Sequence, residues 1–426
     1  MPTAIRKDTL IYMDALHYVV RAVCFVFEVH QPIRIRPDPD VWIRAKKAEK
    51  WEDLLEIYFD QYVNQLVIER AARKCYLPAT RIILENVRRY EGRFKVAFSL
   101  SGVFVEQCKR WAPEVLDLIK RVVDAGGAEL LCQTYFHSIA SLWDPRGREF
   151  VEQVKMHQEL IEEEFGYRPQ VFENTEFLFN DLVAETVERL GFKAIFTEGA
   201  EWRIPEDPCY VYRRRGGELR VLLRHYRLSD DIGFRYSSWW WEEYPLLPAK
   251  WARWVAVTPG DVVNICLDYE TFGEHHWPET GIHNFLQQLP HQLVEIEKLD
   301  ILTPSEVIER FPVRGEVGYG PGFVSWADME RDESAWLGTS LQRKCLQRLL
   351  AVEPFAREAK GWALHIWRYL TTSDHFYYMA VRGGGPGVVH DYFSHLKSPE
   401  RTAHAYLTIL EDLERRIRSG FGSEFA

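Results

Sequence analysis

Short apolar runs alternate along this chain with longer segments of helical periodicity, and that alternation narrows the possible folds more than any other feature. Val23–Val29 reads as a buried strand that stops at His30, and Phe94–Ser99, Ala128–Leu131, Val171–Phe172, Ala194–Phe196 and Val262–Leu267 repeat the pattern. Helices are expected over Pro78–Tyr90, Phe150–Phe165 and Asp181–Leu190. Another starts at Pro113 and is ended by Gly126 and Gly127, because proline suits a helix's first turn and glycine its exit. Tyr210–Arg224 reads as a hairpin around Gly216 and Gly217. Strand–helix alternation of this kind calls for right-handed parallel units, in an open sheet or a barrel.

Polar residues cluster just after the strands: His30 and Gln31, Gln133 to His137, Asn174 to Glu176, and Asp268 to Glu270. In a parallel barrel those positions are the carboxyl ends, where active sites lie. From about residue 313 the character changes. A glycine-rich stretch, RGEVGYGPGF, leads into segments helical by pattern over Asp332–Ala351, Glu358–Leu370 and Ala403–Ile417, interrupted by GGGPG at 383–387. Two parts are therefore expected, a catalytic barrel over 1–312 and a helical region over 313–426.

Composition excludes several classes. With 53 Lys and Arg against 63 Asp and Glu the net charge is −10, which argues against nucleic-acid or anionic-membrane partners. No run approaches the ~18 apolar residues of a membrane span. The opening residues lack a signal peptide, so the expected compartment is the cytoplasm. The seven cysteines stand singly, without a CxxC, and are expected to be reduced, buried thiols. Aromatic residues make up 14% of the chain, and rings of this kind can line a cleft and stack on the C–H faces of sugars.

Two acids stand out by position. Glu176 follows Asn174 and Thr175 at a strand end, and Asp268 directly follows the apolar run VVNICL. An acid at the buried end of a strand costs free energy unless it is paired or hydrogen-bonded, so such a placement favours function. Glycoside hydrolysis uses two carboxyl groups flanking the scissile bond. A helix cap or a buried ion pair is the plainer reading of either residue. Zinc chemistry is a rival: His30, His137, His275, His276 and Asp268 offer N and O ligands, but they would have to converge from separate loops. No metal or other cofactor is expected.

Five segments sharpen the reading: FEVHQP (27–32), AELLCQTYFHS (128–138), VFENTEFLFN (171–180), LDYETFGEH (267–275) and ADMERDESAWLG (327–338). In order and in content they resemble the motif regions of glycoside hydrolase family 57, in its α-amylase branch. The resemblance implies an α/β fold, a distorted (β/α)7 barrel (an incomplete TIM barrel) followed by a C-terminal helical region that helps close the cleft. It implies Glu176 as nucleophile and Asp268 as general acid/base of a retaining enzyme cleaving α-1,4-glucosidic bonds of α-glucans.

The same resemblance gives His30, Gln31 and His137 sugar-binding roles, with His275 at the end of the fourth segment. Asp328 and Trp336 would bring the helical region into the cleft. Glu270 is expected to raise the pKa of Asp268. Trp240, in the run Trp239–Trp241, is expected on a loop platform that stacks glucan or packs onto the barrel. Two departures from the family pattern are the roughly twenty residues before the first strand, with a second methionine at Met13, and the weight of that aromatic run. Two alternatives stay open: an α-glucan transferase or branching enzyme, and a non-catalytic glucan-binding protein.

Overall fold

The computed structural model describes residues 20–380 and 394–421. Seven parallel strands form a ring: β1 (Ala22–Val29), β2 (Val96–Leu100), β3 (Ala128–Leu130), β4 (Val171–Glu173), β5 (Ala194–Glu198), β7 (Arg220–Arg224) and β8 (Val262–Asp268), with β8 returning to β1. The ring is distorted at two seams. β3 meets β4 only through a bridge between Cys132 and Phe172, and β7 meets β8 at the single pair Arg224 and Asn264. Outside it, β6 (Val211–Arg214) runs antiparallel to β7, forming the expected hairpin, while β9 (Asp300–Ile301) lies beside the start of β1. The expected α/β fold, an incomplete (β/α)7 barrel with a helical C-terminal region, is the one observed.

Both faces of these strands are buried, which is why they read as unbroken apolar runs. Along β1, Ala22, Cys24 and Val26 join the core inside the ring, while Val23, Phe25, Phe27 and Val29 face the surrounding helices. The ring's lower end is plugged by the helix Pro304–Arg310, whose Val307 packs into the interior cluster together with Phe311 just beyond it. At the upper end the interior positions turn polar. Glu28 pairs in register with Ser99 on one side and with Asp268 on the other, and Glu198 pairs with Arg224.

The helices Leu77–Arg89, Pro113–Asp124, Arg148–Phe165 and Asp181–Arg189 fall where the sequence places them, within two residues at each end. Asp332–Ala351, expected as one helix, is two: Ser334–Leu337, then Ser340–Ala359. Thr339 breaks it, taking an extended conformation and forming a reciprocal capping box with Gln342 that starts the second helix. The sheet also runs past residue 312, because β10 (Val313–Val317) pairs with β6. One core cluster holds Phe172 and Val221 of the barrel together with Trp336, Trp367 and Tyr406 of the tail, so the two parts share an interior. GGGPG at 383–387 and the first nineteen residues lie outside the described residues. All seven cysteines are buried and free. Among the described residues no helix is long and apolar enough to cross a membrane.

A buried ionic quartet fixes the loop that follows β10 onto the ring. Arg224 contacts Glu198 at 2.9 Å and Asp230 at 2.6 Å, and Arg331 contacts the same two acids at 3.1 and 2.8 Å. Removing one member of such a group strands the others without compensation. Glu198→Ala is therefore expected to cost about 3–5 kcal/mol of stability, read as a lower urea midpoint at unchanged slope; a loss under about 1 kcal/mol would show that the quartet does not hold the loop.

Candidate active site

Glu176 sits in a short turn directly after β4, and its backbone is left-handed, with φ 58° and ψ 22°. Few non-glycine residues adopt this region. The turn aims the side chain into the mouth of the ring, where each carboxylate oxygen has its own donor. Ser373 Oγ donates to Oε1 at 2.9 Å, and Trp326 Nε1 donates to Oε2 at 2.8 Å. The Trp326 ring stacks on Phe177, centroid to centroid at 4.5 Å. His137 Nε2 lies 3.5 Å from Oε1.

His137 and His30 stack at 4.0 Å with their planes 22° apart. They differ in charge. Burial drives the His30 ring down to about 4, and the neighbouring His137 charge adds to this. A neutral His30 accepts at Nδ1 from the Ser101 hydroxyl, 2.7 Å away, and donates from Nε2 to Asp374 at 3.0 Å. Burial also opposes a charge on His137, but the carboxylates of Glu28 and Glu176 outweigh it and lift its pKa well above the ordinary value. Asp374 is held below the usual carboxylate range: burial works against this, and the charge that His30 takes on at low pH, its hydrogen bond and the charge of His137 prevail.

Asp268 ends β8, half-buried, in the register row of Glu28. Burial raises its pKa well above the carboxylate range, the charges of Glu270, Glu28 and Glu176 raise it further, and Arg224 opposes them. The charge of Glu176 is thus felt at Asp268, which places the two carboxyls in one electrostatic environment. Glu270 is buried and pushed up to about 7, mainly by desolvation; it accepts from Tyr76 Oη at 2.5 Å.

The remaining sequence candidates divide. Gln31 is buried with both ends of its amide taken, donating to Tyr76 Oη at 3.2 Å and accepting from Arg34 at 2.8 Å. His275 lies half-buried beyond Glu270, its ring pushed down to about 3 by burial and by His276. Asp328 has a left-handed backbone and accepts from Tyr377 Oη at 3.2 Å, which joins its loop to the tail. Trp336 is a correction: it is fully buried in the core shared by barrel and tail, so it packs the helical region and presents no face to a cleft. Trp239 and Trp240 are exposed on the loop between the helices Tyr226–Gly233 and Pro248–Ala256, whereas Trp241 turns inward against Trp254. The residues weighed as zinc ligands do not gather: among the described residues no group of three or more His, Cys, Asp or Glu side chains could share an ion.

Sequence reasoning missed Trp326, Ser373, Asp374, Glu28 and Glu173. Trp326 stands one residue before the fifth segment. Ser373 and Asp374 follow a helix of the tail, where no strand end marks them. Glu28 and Glu173 are charged residues at the last interior position of an apolar strand, and that signal could have found them.

The family model for glycosyl hydrolase family 57 matches residues 24–319. A Methanocaldococcus jannaschii protein provisionally named an alpha-amylase is 43% identical over 411 residues, covering 93% of this chain and 85% of its own length. An alpha-amylase of Pyrococcus horikoshii is 26% identical over 59% of this chain, and the match spans only 38% of that larger protein. Among solved structures, the 4-alpha-glucanotransferase from Thermococcus litoralis superposes with TM-score 0.66 at 17% identity, over 92% of this chain and 60% of that one. The family 57 branching enzyme from Thermococcus kodakaraensis follows with TM-score 0.64 at 13% identity, over 92% and 89%. These two likenesses speak to the fold. The family model and the 43% identical relative speak to descent, and the chain belongs to glycosyl hydrolase family 57.

Proposed function

We propose that this chain is a retaining glycosidase that cleaves α-1,4 bonds of α-glucans, with Glu176 as nucleophile and Asp268 as general acid/base. The observation that carries the reading is the contrast between the two carboxyls. Glu176 is gripped oxygen by oxygen by Ser373 and Trp326, with His137 alongside. Asp268 is kept protonatable by burial and by the acids around it. A carboxylate held by two hydrogen-bond donors suits attack, and a carboxyl whose proton is retained by burial suits proton donation.

In the first step Glu176 attacks the anomeric carbon while Asp268 gives its proton to the departing glycosidic oxygen. The resulting Asp268 carboxylate then takes a proton from water, which displaces Glu176 and frees the sugar with its configuration retained. In this reading His137 and Asp374 bond hydroxyls of the sugar at the cleaved position, and His30, with both ring nitrogens engaged by Ser101 and Asp374, orients Asp374. Gln31 is held between Tyr76 and Arg34, and Tyr76 in turn donates to Glu270. The sheet and its loops supply both carboxyls. The region from 313 onward supplies Trp326 and Ser373, so barrel and tail form one active unit. The exposed Trp239 and Trp240 suit an outer stacking platform for a longer chain.

Azide replaces a missing carboxylate and reports which one was lost. Glu176→Ala is expected to lose roughly 10⁴-fold or more in kcat and, with azide and an activated α-glucoside, to yield the β-glycosyl azide. Asp268→Ala should yield the α-azide. The opposite pairing would reverse the assignment.

A raised carboxyl pKa means that the acid form survives to higher pH, and activity falls as pH climbs through the raised value. Removing the nearby Glu270 charge in Glu270→Gln should therefore move the alkaline limb of kcat/KM to lower pH; an unmoved limb would show that Glu270 does not act on Asp268. Incubation with amylose is expected to release short linear maltooligosaccharides with α-configured reducing ends. Longer disproportionated chains or new branch points would instead make the enzyme a transferase.

A further inference from the structure

Behind the proposed nucleophile two more acids are buried where the reaction makes no use of them. Glu28 on β1 and Glu173 on β4 are 3% and 1% exposed. Their side chains face each other closely enough to hydrogen-bond, and none of the four oxygens receives a well-aligned hydrogen bond from another residue. Two carboxylates cannot both be charged in contact at such burial. Contact becomes favourable when one proton sits between them, with one acid donating and the other accepting.

The proton's place follows from the neighbours. Glu28 Oε1 lies 3.0 Å from His137 Nδ1, beside that ring's aligned hydrogen bond to Gln133 Oε1 at 2.9 Å. Glu173 has Ser99 as its other polar contact, a neutral group. Burial raises the pKa of Glu173 well above the carboxylate range, and the charge of Glu28 raises it further. Glu173 is therefore the neutral donor and Glu28 the anion. The charged and titratable groups facing His137 are Glu28 from β1, Glu173 from the end of β4, Glu176 from the turn beyond, His30 stacked on its face, and Asp374 from the tail.

We propose that Glu28 and Glu173 are positioning residues: a one-proton carboxyl pair that keeps His137 an imidazolium, so that a fixed positive charge stands 3.5 Å from Oε1 of Glu176 throughout the cycle. Glu28 acts through His137, and Glu173 acts by supplying the proton that lets Glu28 remain the only anion of the pair. The arrangement alternates in sign from Glu28 through His137 to Glu176. A buried His137 lacking Glu28 would lose its proton and leave the nucleophile facing a neutral ring. The inference rests on Glu176 being the nucleophile only for its kinetic consequence; the charge of His137 is measurable without it.

Imidazole ¹⁵N shifts of the intact protein, labelled at histidine and assigned with His137→Gln, read that charge directly. The expected result is a His137 ring in the unchanged protein that stays protonated well above the ordinary histidine pKa of about 6.5. In Glu28→Gln it should titrate about 1–3 units lower. Glu173→Gln, which imitates the protonated acid, should leave it where it was. Hydrolysis of α-maltosyl fluoride gives the kinetic readout, because fluoride leaves with little help from a general acid, so the alkaline limb escapes Asp268. That limb should fall with His137 in Glu28→Gln and stay in place in Glu173→Gln. A His137 neutral at pH 7, or unmoved by Glu28→Gln, would overturn the proposal, and a matching shift in Glu173→Gln would overturn the proton's placement. Azide rescue at another residue would sink the nucleophile assignment while leaving the histidine titration intact.

Discussion

Carboxyl groups crowd into the mouth of one barrel, and the rest of the molecule is arranged to make that tolerable. Glu28, Glu173 and Asp268 come from the last turns of strands, and Glu176 and Glu270 from the residues just after them. Each ion taken from water into a protein interior costs several kcal/mol unless partners replace the lost hydration. The partners here arrive from every direction: His137 from the loop after β3, Arg224 from β7, Tyr76 from outside the ring, and Trp326 and Ser373 from beyond the barrel altogether. Where burial and neighbouring acids outweigh the partners, the carboxyl keeps its proton to higher pH, the direction in which Glu173 and Asp268 are both shifted. The division of charge among chemically similar groups follows from which of them received donors.

That requirement explains why the helical tail and the barrel share a core. A loop resting loosely on the mouth could not keep an indole N–H and a hydroxyl on two oxygens of one carboxylate. The ionic quartet of Arg224, Glu198, Asp230 and Arg331 fastens the Trp326 loop from below, and Arg331 also donates to the carbonyl of Trp326 itself. From the other side, Ser373 and Asp374 open a short helix whose first residue also donates from its amide, Ser373 N–H to the carbonyl of His137 at 2.9 Å. Barrel and tail thus meet through the same residues that hold Glu176.

Much of this was legible in the chain. Parallel strands covered on both faces leave unbroken apolar runs, and Glu176 and Asp268 were readable because each stands where such a run ends. The alternation within those runs was not readable, since both faces are apolar until the last interior position. There Glu28, Glu173, Glu198 and Arg224 break the run with a charge, and only the register shows that they share a side with Asp268. Ser373 and Asp374 were beyond reach for another reason. They lie 197 and 344 residues from the partners they bond, and helical periodicity says nothing about which loop ends in a cleft. Trp336 was expected to bring the helical region into the cleft because it stands in a motif segment, whereas its indole fills the shared core.

Backbone strain sits in the same place as the charge. Glu176, Phe177, His137 and Asp328 all have positive φ, between 48° and 58°. Such conformations cost on the order of 1–3 kcal/mol each for non-glycine residues. They persist because the surroundings over-determine them: Phe177 is pinned under Trp326, His137 is clasped between Gln133, Glu28 and the His30 ring, and Asp328 is tied to Tyr377. An extended residue at 176 would continue the direction of β4 and carry its side chain past the mouth. The left-handed turn brings the carboxylate back over the ring, where Ser373 and Trp326 can reach it. The energy released by packing the tail onto the barrel is thereby partly retained as geometry at the carboxylate, which needs no further reorganisation when a substrate arrives.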